Sequence, residues 1–283
     1  MGKIYISTGG FSHQTGIESF DILKSKKIKF IELSGGKYCK NFNKHLLKLK
    51  NNCLFHNYFP PPKKPFVFNL SSKNKKIAQS SIALVKRNII NSKKIKAKYY
   101  SFHAGFCVDP KPRELGQKIK KTKILDRKKA ENIFLNRLIR LNKFALKNNV
   151  QLLIENNVVT KKNKNIFKQN PFLLTSPDEI LKFFERLKKA QLNIGLLLDT
   201  GHLKVSSKTL GFNLKEGHQK LKKIITAYHV SDNNGLVDSN HQFSENCWFL
   251  KSLKKSAKYF TIEVYNANYK TYFKLIKILK SYL

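Results

Sequence analysis

No apolar run in this 283-residue sequence approaches the ~18 residues a membrane-crossing helix needs. The first ten residues, MGKIYISTGG, carry neither the basic region nor the long apolar stretch of a secretory signal. Ile6 stands where a myristoylated N-terminus would need Ser or Thr. A cytoplasmic protein with no membrane partner is therefore expected. Cysteine is scarce. Cys39, Cys53, Cys107 and Cys247 lie far apart and form no CxxC pair, so they are expected to be reduced and mostly structural. A glycine-rich phosphate fingerprint is missing as well. Gly9 and Gly10 are adjacent after the first apolar stretch, and the GxGxxG spacing is absent.

Acidic residues are few: 17 Asp and Glu stand against 56 Lys and Arg, for a formal net charge of +39. So large an excess can mark a nucleic-acid or anionic-membrane binder. Here it is nearly all lysine, spread along the whole chain beside abundant Asn and Ile. Arginine, which suits bidentate phosphate contacts, is rare. Lysines in KSKKIK and SLKKSAK read as solvated faces. Compositional bias is the favoured reading, and nucleic acid is a possible but not a favoured partner.

What is present is alternation. Apolar runs at 3–8, 28–34, 53–57, 97–103, 150–154, 194–199, 224–230 and 259–264 read as strands. Helical spacing follows at 17–25, 45–50, 80–95, 127–148, 214–222, 248–257 and 269–282. Another helix opens at Ser176, with Pro177 in the first turn and Glu179 at the capping-box position. Two long loops, 104–126 and 156–174, have the length of functional excursions. Eight strand-then-helix units without a linker predict an α/β fold, a single (β/α)8 TIM barrel covering residues 1–283. An open doubly wound sheet is the alternative, and the missing glycine fingerprint argues against it.

Polar residues recur where these strands stop: His56, His103, Glu155, Asp199, His229 and Glu263. Each alone reads as a cap or a satisfied core histidine. Asp199 with Thr200 could simply start a helix. Six at the same end of their strands are harder to explain so. In a barrel, the C-terminal strand ends converge on one mouth. Burying carboxylates and imidazoles together is costly unless they share a cation. Carboxylate and imidazole are the ligand set for Zn²⁺, Mn²⁺ and similar divalent ions.

Five segments carry a family likeness: SFHAGF at 101–106, LLIENN at 152–157, LLLDTGH at 196–202, YHVSDNNG at 228–235 and TIEVY at 261–265. With them the chain resembles the xylose isomerase-like TIM barrels over essentially its whole length. That family includes sugar and sugar-phosphate isomerases and epimerases, and the endonuclease IV-type abasic-site nucleases. The resemblance implies a divalent metal (Mn²⁺, Zn²⁺, Co²⁺ or Mg²⁺) on Glu155, Asp199, His229 and Glu263, with His202 touching substrate. The nucleases use three zinc ions. For the extra ligands this chain offers His56, His103, His202, Asp238 and His241. The nuclease pattern Asp-x-His is broken here, because Asn240 stands where histidine is expected and His241 comes one residue late.

The leading expectation is a metal-dependent isomerase or epimerase of a carbohydrate, working through an enediolate. Glu155 and Glu263 would remove and return the proton. His202, His103, His56, Asn156 and Asp232 would contact substrate, with Asn156 and Asp232 serving equally well as loop caps. Lys204 is expected to face solvent, and Tyr58, Phe59 and Pro60 to Pro62 to pack on the rim. The alternatives are an abasic-site DNA nuclease and a barrel that binds a sugar or partner without turnover.

Overall fold

The computed structural model describes residues 2–11, 14–114 and 117–283. Eight parallel strands run in sequence order: β1 (Lys3–Ser7), β2 (Ile31–Leu33), β3 (Cys53–His56), β4 (Tyr99–His103), β5 (Gln151–Glu155), β6 (Ile194–Asp199), β7 (Ile225–Val230) and β8 (Tyr259–Ile262). Each pairs with the next and β8 pairs with β1, so the sheet closes into a (β/α)8 barrel. Around it lie α1 (Gly16–Ser25), α2 (Lys75–Lys94), α3 (Arg127–Leu146), α4 (Lys161–Phe167), α5 (Pro177–Lys189), α6 (Thr200–Leu210), α7 (Leu214–Leu221) and α8 (Tyr269–Tyr282). A 3-10 helix, Phe42–Leu49, connects β2 to β3.

Local chemistry starts these helices. Thr15 and Glu18 exchange side-chain and backbone hydrogen bonds at the head of α1, a complete capping box. Asn74, Asn213 and Asn268 cap α2, α7 and α8. Ser176 caps α5 with Pro177 in its first turn. The inner face of α5 buries Ile180, Phe183, Phe184 and Leu187, and Phe183 stacks on Phe134 of α3 with ring centroids 5.4 Å apart. Fully burying one such side chain stabilises the fold by about 1.5–3 kcal/mol.

Strand alternation sorts side chains between the lumen and the helix layer. Along β8, Tyr259 and Thr261 face inward, and Glu263 continues that row beyond the strand. At one end of the lumen the rings of Tyr5 and Tyr99 pack on Tyr259, with centroids 5.7 and 5.6 Å away. At the other end the inward row is polar. A register shift between Leu196 and Leu197 brings Asp199 level with His229 across the β6–β7 pairing. Gly195 lies just before it, where a Cβ would come 2.3 Å from Thr226 Oγ1.

The elements differ from the sequence expectation in four places. Residues 248–257 form only a 3-10 turn, Leu250–Ser252. Tertiary contacts set that path: Phe249 is buried, and Lys254 Nζ donates to the carbonyls of Lys223 and Ile225. After β6 there are two helices, because α6 starts directly at Asp199. Its SSKT stretch has weak helix propensity, but the Asp199 cap and the burial of Leu203 and Val205 override that. The polar excursion after β5 holds α4, capped by Thr160. Residues 45–49 belong to the 3-10 helix, which ends before Lys50. No described helix is long and apolar enough to cross a membrane, and all four cysteines are free.

Candidate metal centre at the barrel mouth

Glu155, the last residue of β5, is the hub. Its Oε1 lies 3.2 Å from His229 Nδ1, and its Oε2 lies 3.1 Å from His56 Nε2 and 3.3 Å from His103 Nδ1. His229 Nδ1 is also 2.8 Å from Glu263 Oε2 and 3.9 Å from Asp199 Oδ2. Strand geometry explains the convergence: His56, His103, Glu155 and Asp199 are the last residues of β3, β4, β5 and β6, and His229 is level with Asp199. Ser7 Oγ donates to Glu263 Oε1 at 3.2 Å, and Ser101 Oγ lies 2.9 Å from His56 Nδ1.

The donor set fits a divalent cation. Glu155, Asp199, His229 and Glu263 each offer one ligand atom, and these atoms all lie within 4.8 Å of one another. Both oxygens of Glu155, Oδ2 of Asp199 and both ring nitrogens of His229 are buried and unpaired in ordinary hydrogen bonds, despite the short separations. Close approach without alignment is what lone pairs aimed at a shared point look like. Leaving such groups unpaired in a dry site costs about 1–3 kcal/mol each, so a cation is the natural complement. His56, His103 and Glu155 form a second group of the same compactness.

Charge is distributed unevenly across the cluster. Burial pushes the Glu155 carboxyl up, but His103, His229 and His56 outweigh it and hold it well below the usual range. Burial likewise opposes ionisation of Glu263, yet His229 draws it down to about 2. Asp199 goes the other way: burial carries it up to about 7, with Glu155 and Asp238 adding to the push against His202. For His229, burial favours the neutral ring, and Glu32, Glu155 and Glu263 overcome it to raise it well above the ordinary value. Burial, then His202 and His56, push His103 down to about 4 despite Glu155.

Asp199 combines the two readings its sequence allowed. Its Oδ1 accepts from the His202 backbone N–H at 2.6 Å and caps α6, while its Oδ2 faces the cluster. Asn156 is committed to holding Asp199. Its Oδ1 accepts from Asp199 N at 2.7 Å and its Nδ2 donates to Asp199 O at 3.2 Å.

His202 is occupied at both ring nitrogens. Nδ1 faces the carbonyl oxygen of Asn156 at 2.8 Å and Nε2 faces Asp238 Oδ2 at 3.0 Å. Both partners can accept, so a doubly protonated ring satisfies both contacts at once. Burial resists that charge, but Asp199 and Asp238 raise the ring well above its ordinary range. His241 is exposed and borders a separate hollow of about 350 Å³ with Tyr265 and Asn266. Among the described residues, His202, Asp238 and His241 do not form a compact ligand group. Asp232 is turned away, ion-paired to Lys204 at 2.6 Å, so Lys204 is not free in solvent. Tyr58 packs on Phe66 and its hydroxyl accepts from Phe66 N at 2.8 Å, which is rim packing.

Sequence reasoning passed over one member of the cluster. Glu32 of β2 is fully buried, and its Oε1 lies 2.7 Å from His229 Nε2. Its signal was the same as the others, an acid interrupting the apolar run IKFIEL. It sits within the run rather than at its end, and strand ends were the criterion.

A sequence-family model described as xylose isomerase-like TIM barrel matches residues 11–282. No curated protein matches the chain. Among solved structures, a D-tagatose 3-epimerase-like protein superposes with a TM-score of 0.71 at 19% identity, covering 99% of this chain and 96% of that one. The IolI protein with a bound zinc atom gives 0.67 at 14% identity, covering 99% of each chain. The family 2 AP endonuclease from Brucella melitensis gives 0.63 at 11%, covering 96% of each. At these identities the likeness is one of fold.

Proposed function

The chain belongs to the xylose isomerase-like TIM barrel family, and from that membership we propose that it is a metal-dependent isomerase or epimerase of a sugar or sugar phosphate. The observation that carries this reading is the buried quartet of Glu155, Asp199, His229 and Glu263 within 4.8 Å. Solved structures that share the fold include an L-ribulose 3-epimerase and a D-tagatose 3-epimerase-like protein. A divalent ion on the quartet would hold the carbonyl and neighbouring hydroxyl oxygens of the substrate and make the intervening C–H more acidic.

The chain's own residues would move the proton. Glu155 and Glu263 are both held ionised at neutral pH, so either can accept a proton from carbon. Its loss leaves an enediolate. Return of a proton to the opposite face of the same carbon inverts it. Return to the adjacent carbon exchanges aldose and ketose. The His202 ring, held between Asn156 O and Asp238, would meet a substrate hydroxyl only by exchanging its Asp238 contact for it. His56 and His103 border the far oxygen of Glu155 and would meet the rest of the sugar.

The test is proton exchange in D₂O with Mn²⁺, Co²⁺, Zn²⁺ or Mg²⁺ and a panel of ketoses, aldoses and their phosphates. Deuterium on carbon is expected for at least one sugar. Metal-loaded protein that exchanges no carbon-bound proton in any of them sinks the proposal. One observation favours a second reading, an abasic-site nuclease: His56, His103 and Glu155 form a further ligand group that shares Glu155 with the quartet. Two or more zinc ions per chain, together with nicking of duplex DNA at an abasic site, would replace the first reading with this one.

A further inference from the structure

Glu32 has no place in the proton transfer above, yet it is as deeply buried as Glu155 and Asp199. It is fully buried, and among the described residues no lysine or arginine pairs with it. Its Oε2 accepts from Thr261 Oγ1 at 3.2 Å, and its Oε1 approaches His229 Nε2 at 2.7 Å. It stands on β2, whereas His229 is on β7, with β1 and β8 between them in the sheet. The contact therefore crosses the lumen and ties together strands that share no ladder.

The two nitrogens of His229 face different partners. Nδ1 looks at Glu155, Asp199 and Glu263, while Nε2 looks at Glu32. A neutral imidazole binds a cation through one nitrogen and must carry its proton on the other. We propose that Glu32 is a positioning residue for His229. Its Oε1 accepts a hydrogen bond from Nε2–H, which keeps the ring's one proton on Nε2, leaves Nδ1 bare toward the quartet and fixes the ring's tilt. This rests on the metal-centre reading given above. The ring is close to both sets of carboxylates but aligned with neither, and a cation on Nδ1 would supply that constraint. Glu32, His56 and His229 also lie within 4.8 Å as a possible ligand group. Ligation there through Nε2 while Nδ1 serves the quartet would require His229 to give up both ring protons, so a Glu32 that accepts the Nε2–H hydrogen bond is the simpler chemistry.

The experiment compares native protein, Glu32→Gln and Thr261→Val by zinc titration calorimetry. The readouts are the dissociation constant and the stoichiometry, and ¹⁵N spectra of the histidine rings in the zinc-loaded state. Loss of a carboxylate behind a ligating histidine weakens metal binding by roughly 10–100-fold, and that weakening is expected for Glu32→Gln at unchanged stoichiometry. Thr261→Val removes only the hydroxyl that holds Oε2, and a smaller weakening in the same direction is expected. It tests the idea even if Glu32→Gln fails to fold. In the native spectrum His229 should show a protonated Nε2 and a metal-bound Nδ1. Equal zinc affinity in native protein and both variants overturns the inference while leaving the metal centre standing. Loss of one whole zinc equivalent with the others unaffected makes Glu32 a ligand and also overturns it. A native chain that takes up no zinc removes the metal reading itself.

Discussion

His218 and His229 are both fully buried, and they are separated by a single strand. Tyr228 and His229 are consecutive in β7, so their side chains point to opposite faces. Outside, Tyr228 stacks on His218 of α7, and its hydroxyl lies 3.1 Å from His218 Nε2. Trp248 meets the same imidazole edge-on at 5.8 Å. Inside, His229 has four carboxylates around it. The two rings shift in opposite directions: burial, with Lys222, pushes His218 down to about 4, whereas the carboxylates raise His229 well above its ordinary value. Burial alone makes a histidine neutral and inert. Carboxylates opposite the ring make it a candidate ligand, and that contrast separates core from site in this barrel.

Replacing His229 by Gln should break the contrast most severely. Zinc affinity, measured by calorimetry, should fall beyond the roughly 100-fold that loss of an outer partner costs. His218→Gln should leave it within about threefold on the same grounds. An equal loss in both variants would mean that the inside and outside of β7 are not distinct.

The next effect is on stability against pH. His218 has a folded value near 4, below the ordinary 6.5, so the unfolded chain takes up the proton first. Its contribution is intact above pH 6.5, declines as pH falls through 6.5 toward 4, and is fully lost below 4. The displacement corresponds to about 3 kcal/mol over that window. Urea unfolding of chelator-treated protein should therefore show a shallower decline between pH 6.5 and 4 in His218→Gln than in the native chain. Parallel curves would show that His218 does not titrate as its surroundings demand.

The smallest effect sharpens the comparison. Tyr228→Phe removes the hydroxyl that meets His218 and accepts from Lys254 N at 3.1 Å. It should cost about 1 kcal/mol of stability by denaturation and leave zinc affinity unchanged, although position 228 adjoins His229. A shift in zinc affinity would show that the two faces are coupled.

The barrel was legible because strands buried on both faces read as continuous apolar runs, and eight of them alternate with helices. The strand-end acids and histidines were legible for the same reason, since a polar residue stands out in an apolar run. Glu32 escaped because its run continues beyond it to Leu33. The start of helix α6 was legible at Asp199 and Thr200 as the plainer of two readings, but its extent to Leu210 was not, because SSKT has weak helix propensity. Asn156 and Asp232 could not be assigned from sequence. Whether an amide or a carboxylate faces a ligand or a backbone is decided by what lies across the mouth, and that is tertiary information.

The Asn156 side chain behaves mechanically as a rivet. The β5–β6 ladder last pairs Glu155 with Leu197, and beyond that rung the strands would be free to splay. Asn156 replaces the missing rung with two hydrogen bonds to the amide and carbonyl of Asp199. The backbone spacing between Asn156 and Asp199 is thus set by a covalent side-chain length. A mouth gauged in this way keeps its width by the chain's own atoms at this rung, independently of anything that enters it.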